Sequence, residues 1–432
     1  MKEKFKENSL RVVNPKRTNE SIDIKSAWYN YYAGYSHAFT QSIIDSVNLP
    51  KDSVILDPWN GAGTTTLLAS MNGYQSIGID LNPVMKIIAM AKQTTSNDLA
   101  VILNRSKKIR ANVKVPLWKD DPLLGWFDME CVNSIRRIEK IILMGKLYKS
   151  TEDKVNSMDV AHCLMYTVLF NCVREYLSPF IPSNPTWVKK PKTESEKITA
   201  SWVEFKRKYI FKLKEITKGI AELDHCWPDN LSNIKIGSST KLKVDSTSID
   251  LALSSPPYCT RIDYGVATSP ELAILCVNGS LELDSIRREL MGTTTVPKTV
   301  DESLNKLGSA CVQFLESVKA HDSKASKTYY FKNFVQYFKS LNESMDEIYR
   351  VLKYGARFVC VVQDSYYKDL HCDLPKLVIE MSEAKGLLLK ENIRFESKKN
   401  MSNLNLKTKK YRSHNKVFES VLIFEKESNY GK

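Results

Sequence analysis

Ile249-Asp250-Leu251-Ala252-Leu253-Ser254-Ser255-Pro256-Pro257-Tyr258 is the stretch that most narrows what this chain can fold into. An apolar run headed by one acid has the pattern of a strand buried on both faces, as parallel strands of an α/β sheet are. The two prolines cannot extend a ladder, because each lacks an N–H and restrains the residue before it, so the chain turns at the strand's carboxyl end. In open α/β sheets that end is where ligands bind. The turn presents there the hydroxyl of Ser255, the carbonyl of Pro256 and the ring of Tyr258, with Pro257 stiffening the constellation.

Those groups suit an exocyclic amine on a nucleobase, whose lone pair is delocalised into the ring. If the Ser255 hydroxyl and the Pro256 carbonyl hold its two hydrogens, the nitrogen moves toward tetrahedral geometry and aims its lone pair at an electrophilic methyl group. Tyr258 offers a flat face for an extruded base and a cation–π surface for a nearby sulfonium. The competing reading is a tight turn after a core strand, and a second stretch decides between them.

That stretch is Asp57-Pro58-Trp59-Asn60-Gly61-Ala62-Gly63-Thr64-Thr65-Thr66, preceded by the short strand pattern Ser53 to Asp57 and followed by a helical one. Gly61 and Gly63 are expected to let the backbone approach a ligand, whose negative end the amides opening the helix can receive. A second strand, Gln75 to Ile79, ends in Asp80 and Leu81, and an acid there is placed to accept from ribose hydroxyls. The turn lacks both the third glycine of a nicotinamide site and the Gly-Lys-Ser/Thr of a phosphate loop, so a ligand with a ribose and no phosphate is expected.

Taken in this order, the motifs resemble those of the amino-group DNA methyltransferases, which transfer a methyl group from S-adenosylmethionine to cytosine N4 or adenine N6. Asp57 to Thr65 looks like their first cofactor motif, which usually has phenylalanine where this chain has Trp59. Tyr31 to Phe39 is similar to the aromatic segment that closes over the methionine end of the cofactor. Ser255-Pro256-Pro257-Tyr258 matches their catalytic turn, in the serine form typical of the N4-cytosine branch. Where the family places an acid to hold the cofactor's adenine, this chain has Ser238, and Asp245 is a possible substitute.

The resemblance implies a Rossmann-like class I methyltransferase fold: a seven-stranded, mostly parallel α/β sheet with an antiparallel last strand, here carrying a large helical insertion. S-adenosylmethionine is the expected cofactor, held by Tyr32, Gly34, Asp57, Pro58, Gly61, Gly63, Thr64, Asp80, Leu81 and Ser238. Ser255, Pro256, Pro257 and Tyr258 are the expected catalytic set, acting on cytosine N4 without a covalent enzyme intermediate. Adenine N6 and an RNA substrate are the rival readings, and a non-catalytic DNA-binding subunit is the alternative of another class.

The chain divides into residues 1–98 with the cofactor motifs, a helical insertion over 99–232 read as the target-recognition lobe, and 233–432 with the catalytic turn and a further insertion near 266–330. Trp202, Phe205, Tyr209, Leu213, Ile216 and Ile220 form one apolar stripe at helical spacing, with lysines largely off it. Those lysines read as a solvated face rather than a DNA track. The loop Ser183 to Lys192 mixes Trp187 with Lys189 and Lys190 and is the leading nucleic-acid contact; Arg261 and Tyr264, close behind the catalytic turn, are further candidates. Gln363 to Tyr367 is expected on the site side of the sheet, and a basic loop over 398–416 is a further candidate for DNA.

With 63 Lys and Arg against 49 Asp and Glu, the net charge of +14 suits a polyanionic partner, here double-stranded DNA. A monomer or homodimer is expected, serving with cognate restriction or defence proteins. Nine cysteines without a Cys-x-x-Cys pair fit buried thiols in a reducing cytoplasm rather than a metal centre. The charged start and the absence of a long apolar run give no signal peptide or membrane span. No Pro-Cys dipeptide occurs, which removes the nucleophile of cytosine C5 methylation, and no His-x-x-x-His spacing supports a metal hydrolase.

Overall fold

The computed structural model describes residues 10–17, 25, 28–29, 31, 34–110, 113, 115, 119–182, 187–222, 231–259, 263–300, 303–396 and 417–427. Nine strands lie among them: β1 (Val54–Asp57), β2 (Gln75–Asp80), β3 (Ser232–Ile236), β4 (Ile249–Ser254), β5 (Leu352–Gln363), β6 (Ser365–Tyr367), β7 (Leu370–Cys372), β8 (Leu387–Glu396) and β9 (Phe418–Lys426). Seven form one sheet in the order β3-β2-β1-β4-β5-β9-β8, while β6 and β7 pair separately. Neighbours from β3 to β5 are parallel, and β9 runs antiparallel to both β5 and β8. This is the expected sheet. Its strand order reverses between β1 and β4, so their carboxyl ends open a crevice there.

Both faces of the sheet are covered, which is why its central strands are apolar at consecutive positions. Ile55, Leu251, Leu253, Val359 and Val361 meet Phe39 and Ile43 of helix His37–Val47 and Leu67 and Leu68 of helix Thr64–Met71. Leu56, Ala252, Phe358, Cys360 and Val362 point the other way, onto Phe334, Phe338, Leu341 and Met345 of helix Phe331–Val351. Alternation along each strand therefore sends neighbours to opposite cores.

The helical insertion is not a separate body. Helices Met129–Ile142, Val160–Tyr176 and Trp202–Ala221 share one core with helix Pro83–Ala91, with Trp28 and Tyr29, and with Leu272 to Cys276 from beyond the catalytic turn. Helix Ser269–Leu275, which falls in the further insertion expected near 266–330, thus packs into the helical lobe. The physical reason is that all seven residues of helix Ser269–Leu275 are buried and need cover on every side.

Ionic groups fix that docking. Arg136 donates to the carbonyls of Ala273 (2.9 Å) and Ile274 (2.6 Å), and Lys154 to that of Leu275 (2.9 Å), so two cations cap the helix's negative end. Asp121 and Glu139 pair with them, which leaves the buried set neutral. On the surface of helix Trp202–Ala221, Lys208 and Lys212 both bind Glu175 at 2.6 Å, so part of its lysine face is already engaged.

Candidate active site

The turn after β1 is shaped by two glycines with different tasks. Gly61 has φ +46° and borders the crevice, and its amide donates to Asp80 Oδ2 at 2.9 Å. Gly63 has φ +78°, but a Cβ there would lie 2.6 Å from that of Ala89. Gly63, expected to let a ligand approach, is not among the residues that border the cavity, and it lets helices Thr64–Met71 and Pro83–Ala91 meet closely. Asp80 also accepts from the Asn82 amide at 2.8 Å. Burial raises its carboxyl to about 6 against the pull of those two amides.

Asp57 turns out to be a tie between elements. Its carboxylate accepts from the Ser254 hydroxyl at the end of β4, from the Trp59 amide (3.2 Å) and from the Tyr35 hydroxyl (3.2 Å). Although Asp57 borders the cavity, these donors occupy it, and burial raises it to about 6. Tyr35 also shares a 2.5 Å hydrogen bond with Thr65, which binds the aromatic segment to the start of the helix.

Arg17, unnoticed in a polar leader, holds that segment down. It donates to the carbonyls of Tyr31 and Tyr35 (both 3.1 Å) and to the Thr64 hydroxyl (3.3 Å). Tyr31, Gly34, Pro58 and Thr64 all border the cavity beside Leu81. Tyr32 lies outside the described residues.

Ser255, Pro256, Pro257 and Tyr258 border this same cavity, so the two distant motifs do share one cleft. Two tyrosines brace the turn. Tyr337 donates to the Pro257 carbonyl at 2.7 Å, and Tyr264 accepts from the Tyr258 amide at 3.3 Å. Among the described residues, the Ser255 hydroxyl and the Pro256 carbonyl make no hydrogen bond and remain available.

The rest of the wall was not anticipated. Asn333, Gln336, Tyr337 and Ser340 border the cleft from helix Phe331–Val351, on the face away from its apolar stripe. Their spacing of three and four makes a second, polar stripe, which the stronger apolar stripe of the same helix masks in the sequence. Residues Glu289 to Thr293 also border the cleft, tied to the helix by Asn333 donating to the Thr293 carbonyl (2.9 Å). Asp263 accepts from the Thr294 amide (3.1 Å) and from the Val266 amide (2.9 Å), linking this wall to the segment behind the turn.

Other expectations fall elsewhere. Ser238 borders the cleft and shares a 2.8 Å hydrogen bond with Thr240, whereas Asp245 is exposed and away from it, so Asp245 is no substitute. Trp187, Lys189 and Lys190 do not border the cleft. Trp187 is half exposed, the Lys189 amide donates to the Phe180 carbonyl (2.9 Å), and the Lys190 ammonium sits 5.1 Å from the Trp126 ring. Tyr264 does border it, while Arg261, residues 183–186 and the basic loop over 398–416 lie outside the described residues. The segment Gln363 to Tyr367 turns away, because Tyr367 packs on Phe334, Tyr330 and His321.

The charge of the lining narrows what the cleft can hold. The described lining carries Asp57, Asp80, Glu289 and Glu419 but no lysine, arginine or histidine. A cationic ligand with polar edges fits such a wall, and a polyphosphate does not.

A doubly wound sheet whose crevice joins a glycine turn and a strand-end acid to a Ser-Pro-Pro-Tyr turn has the architecture of the Rossmann-like class I methyltransferase fold. Residues 249–432 match the family model described as DNA methylase, and in its motifs the chain resembles that amino-methyltransferase family. It is similar to the Type II methyltransferase M.BsoBI of Geobacillus stearothermophilus, 25% identical over 272 residues, or 58% of this chain and 52% of that protein. The match thus spans about half of that relative. The Type II methyltransferase M.AvaI of Nostoc sp. is 23% identical over 392 residues, 83% of this chain and 78% of its own. A solved S-adenosylmethionine-dependent methyltransferase of Methanosarcina mazei aligns over 89% of this chain and 97% of its own, at 10% identity and a TM-score of 0.30, too loosely to add to the strand order.

Proposed function

We propose that the chain is a DNA methyltransferase that moves a methyl group from S-adenosylmethionine to N4 of a cytosine turned out of the duplex. The observation that carries this reading is the single cleft bordered by Gly61 and Asp80 at one end and Ser255 to Tyr258 at the other. Its acidic lining suits a ligand with a sulfonium and an ammonium group. When bound, S-adenosylmethionine supplies an electrophilic methyl group.

The residues then divide the work. Asp80 accepts from the ribose hydroxyls, with Ser238 nearby for the adenine, and the segment pinned by Arg17 covers the methionine end. The Ser255 hydroxyl and the Pro256 carbonyl accept the amine hydrogens, and Tyr258 stacks on the base. Tyr337, by holding the Pro257 carbonyl, keeps the neighbouring Pro256 carbonyl aimed into the cleft. No cysteine borders the described cleft, in keeping with direct transfer and no covalent intermediate.

The net charge of +14 supports a DNA substrate, and the serine form of the turn supports cytosine. The helical lobe, with Trp187, Lys189 and Lys190 on its surface, is the proposed recognition element. The relatives named Type II methyltransferases support a place in restriction–modification. The test is incubation of the purified chain with labelled cofactor and DNA, nucleoside analysis of the product, and a Ser255→Ala control. N4-methylcytosine that disappears in the control is expected. N6-methyladenine would move the reading to that base, and no transfer to any nucleic acid would leave a binding subunit.

A further inference from the structure

Methylating an exocyclic amine leaves a proton to be removed, since the nitrogen that has bonded the methyl carbon carries a positive charge. Among the described residues, four carboxylates border the cleft. That of Asp57 is held by the donors described above, Asp80 is assigned to the ribose hydroxyls at the other end of the cleft, and Glu289 is exposed. Glu419 makes no hydrogen bond or ion pair among the described residues.

The sheet register puts Glu419 beyond the carboxyl end of β4. It lies opposite Gln363 on β5, with Val421 opposite Val361, and Ser254 of β4 lies opposite Cys360. By alternation, Glu419 is on the face of Val361 and Val421, which β4 shares through Leu253. Val361 and Ser255 border the cleft with it, so the carboxylate enters from two strands away on the side of the catalytic turn.

Resting on the function proposed above, we propose that Glu419 accepts the proton released by the methylated amine, directly or through one water. The nitrogen's lone pair becomes the N–C bond as the carbon–sulfur bond breaks. The N–H electrons then return to nitrogen as the proton passes to the carboxylate, which later gives it to solvent. Burial raises the Glu419 carboxyl to about 7, with Lys16 from the leader opposing, which matches an acceptor working near neutrality. Its register partners on β5 and β8, Gln363 and Phe395, are uncharged.

The test compares the full wild-type chain with Glu419→Gln, beside Ser255→Ala. The wild-type turnover is expected to rise with pH to a plateau, with a midpoint near 7. In Glu419→Gln that limb should vanish and kcat fall by at least about tenfold, with KM for both substrates little changed. A second readout needs no turnover. Because the folded carboxyl is raised from 4.5 to about 7, ligand-free wild type loses stability as pH rises through that window. Glu419→Gln should melt with wild type at the acid end and above it at pH values past the window.

An intact pH limb in Glu419→Gln, or superimposable melting curves at every pH, would overturn the assignment. So would a raised cofactor KM with the limb intact, which would make Glu419 a counter-charge only. In each of those cases Ser255→Ala remains inactive and the methyltransferase reading stands. A wild-type chain that methylates no nucleic acid sinks both.

Discussion

The two ends of the cleft are assembled in opposite ways. At the donor end, Asp57, Gly61, Asp80 and Asn82 come from one strand–turn–helix–strand segment, and the defining contact joins Gly61 to Asp80 only nineteen residues away. At the acceptor end, Tyr337 reaches Pro257 across eighty residues, and Asn333 reaches Thr293 across forty. A locally encoded end is fixed by backbone geometry. An end built from distant elements depends on how their helices pack, and is the end free to vary with substrate.

The largest contrast should come from Asp80→Asn. Removing the charge weakens hydrogen bonds that an ionised acceptor makes at about 1.5–3 kcal/mol each, so cofactor affinity should fall by roughly a hundredfold. Calorimetric titration checks it. In wild type, affinity should rise with pH through about 6, because the ionised carboxylate is the better acceptor and burial holds its pKa there. The Asn variant should lack that dependence. Equal affinity in the two proteins would remove Asp80 from the donor site.

The glycine pair offers a sharper cut within one turn. Gly63→Ala must seat a Cβ 2.6 Å from that of Ala89 at φ +78°, and a loss of about 2 kcal/mol of stability is expected. Gly61→Ala meets the Tyr31 ring at 3.4 Å and the Trp59 carbonyl at an ordinary 3.8 Å, at φ +46°. Its cost should fall more on ligand binding than on unfolding, as denaturant titration and cofactor binding measured on both variants will show. Gly63→Ala that is stable yet cannot bind would reverse the assignment of the two glycines.

This division also explains what the sequence disclosed. The strand ending in Ser-Pro-Pro-Tyr, the glycine turn and the acid at the end of β2 were legible because short-range sterics and period-two burial dictate them. The sheet followed from the same patterns. Hidden from a linear reading were Arg17, whose three acceptors on Tyr31, Tyr35 and Thr64 come together only in the folded chain, and the polar stripe from Asn333 to Ser340. That stripe was overshadowed by the apolar one on the same helix. Hidden too was the burial of Ser269–Leu275 in the helical lobe, since Arg136 and Lys154 are solitary charges until the carbonyls they cap are in place.

Tyr337→Phe should give the smallest effect and the most specific one. The substitution deletes one 2.7 Å hydrogen bond to the Pro257 carbonyl and leaves the ring's packing against Phe338 intact. A single such bond contributes about 1 kcal/mol, equivalent to roughly fivefold in rate if it is spent on aiming the turn. Because Tyr337 is remote from Gly61 and Asp80 in the wiring of the cleft, steady-state kinetics should show kcat reduced with the cofactor KM unchanged. A variant in which cofactor KM rises while kcat holds would mean that the turn and the glycine loop are mechanically coupled, and that the two ends of the cleft are one unit after all.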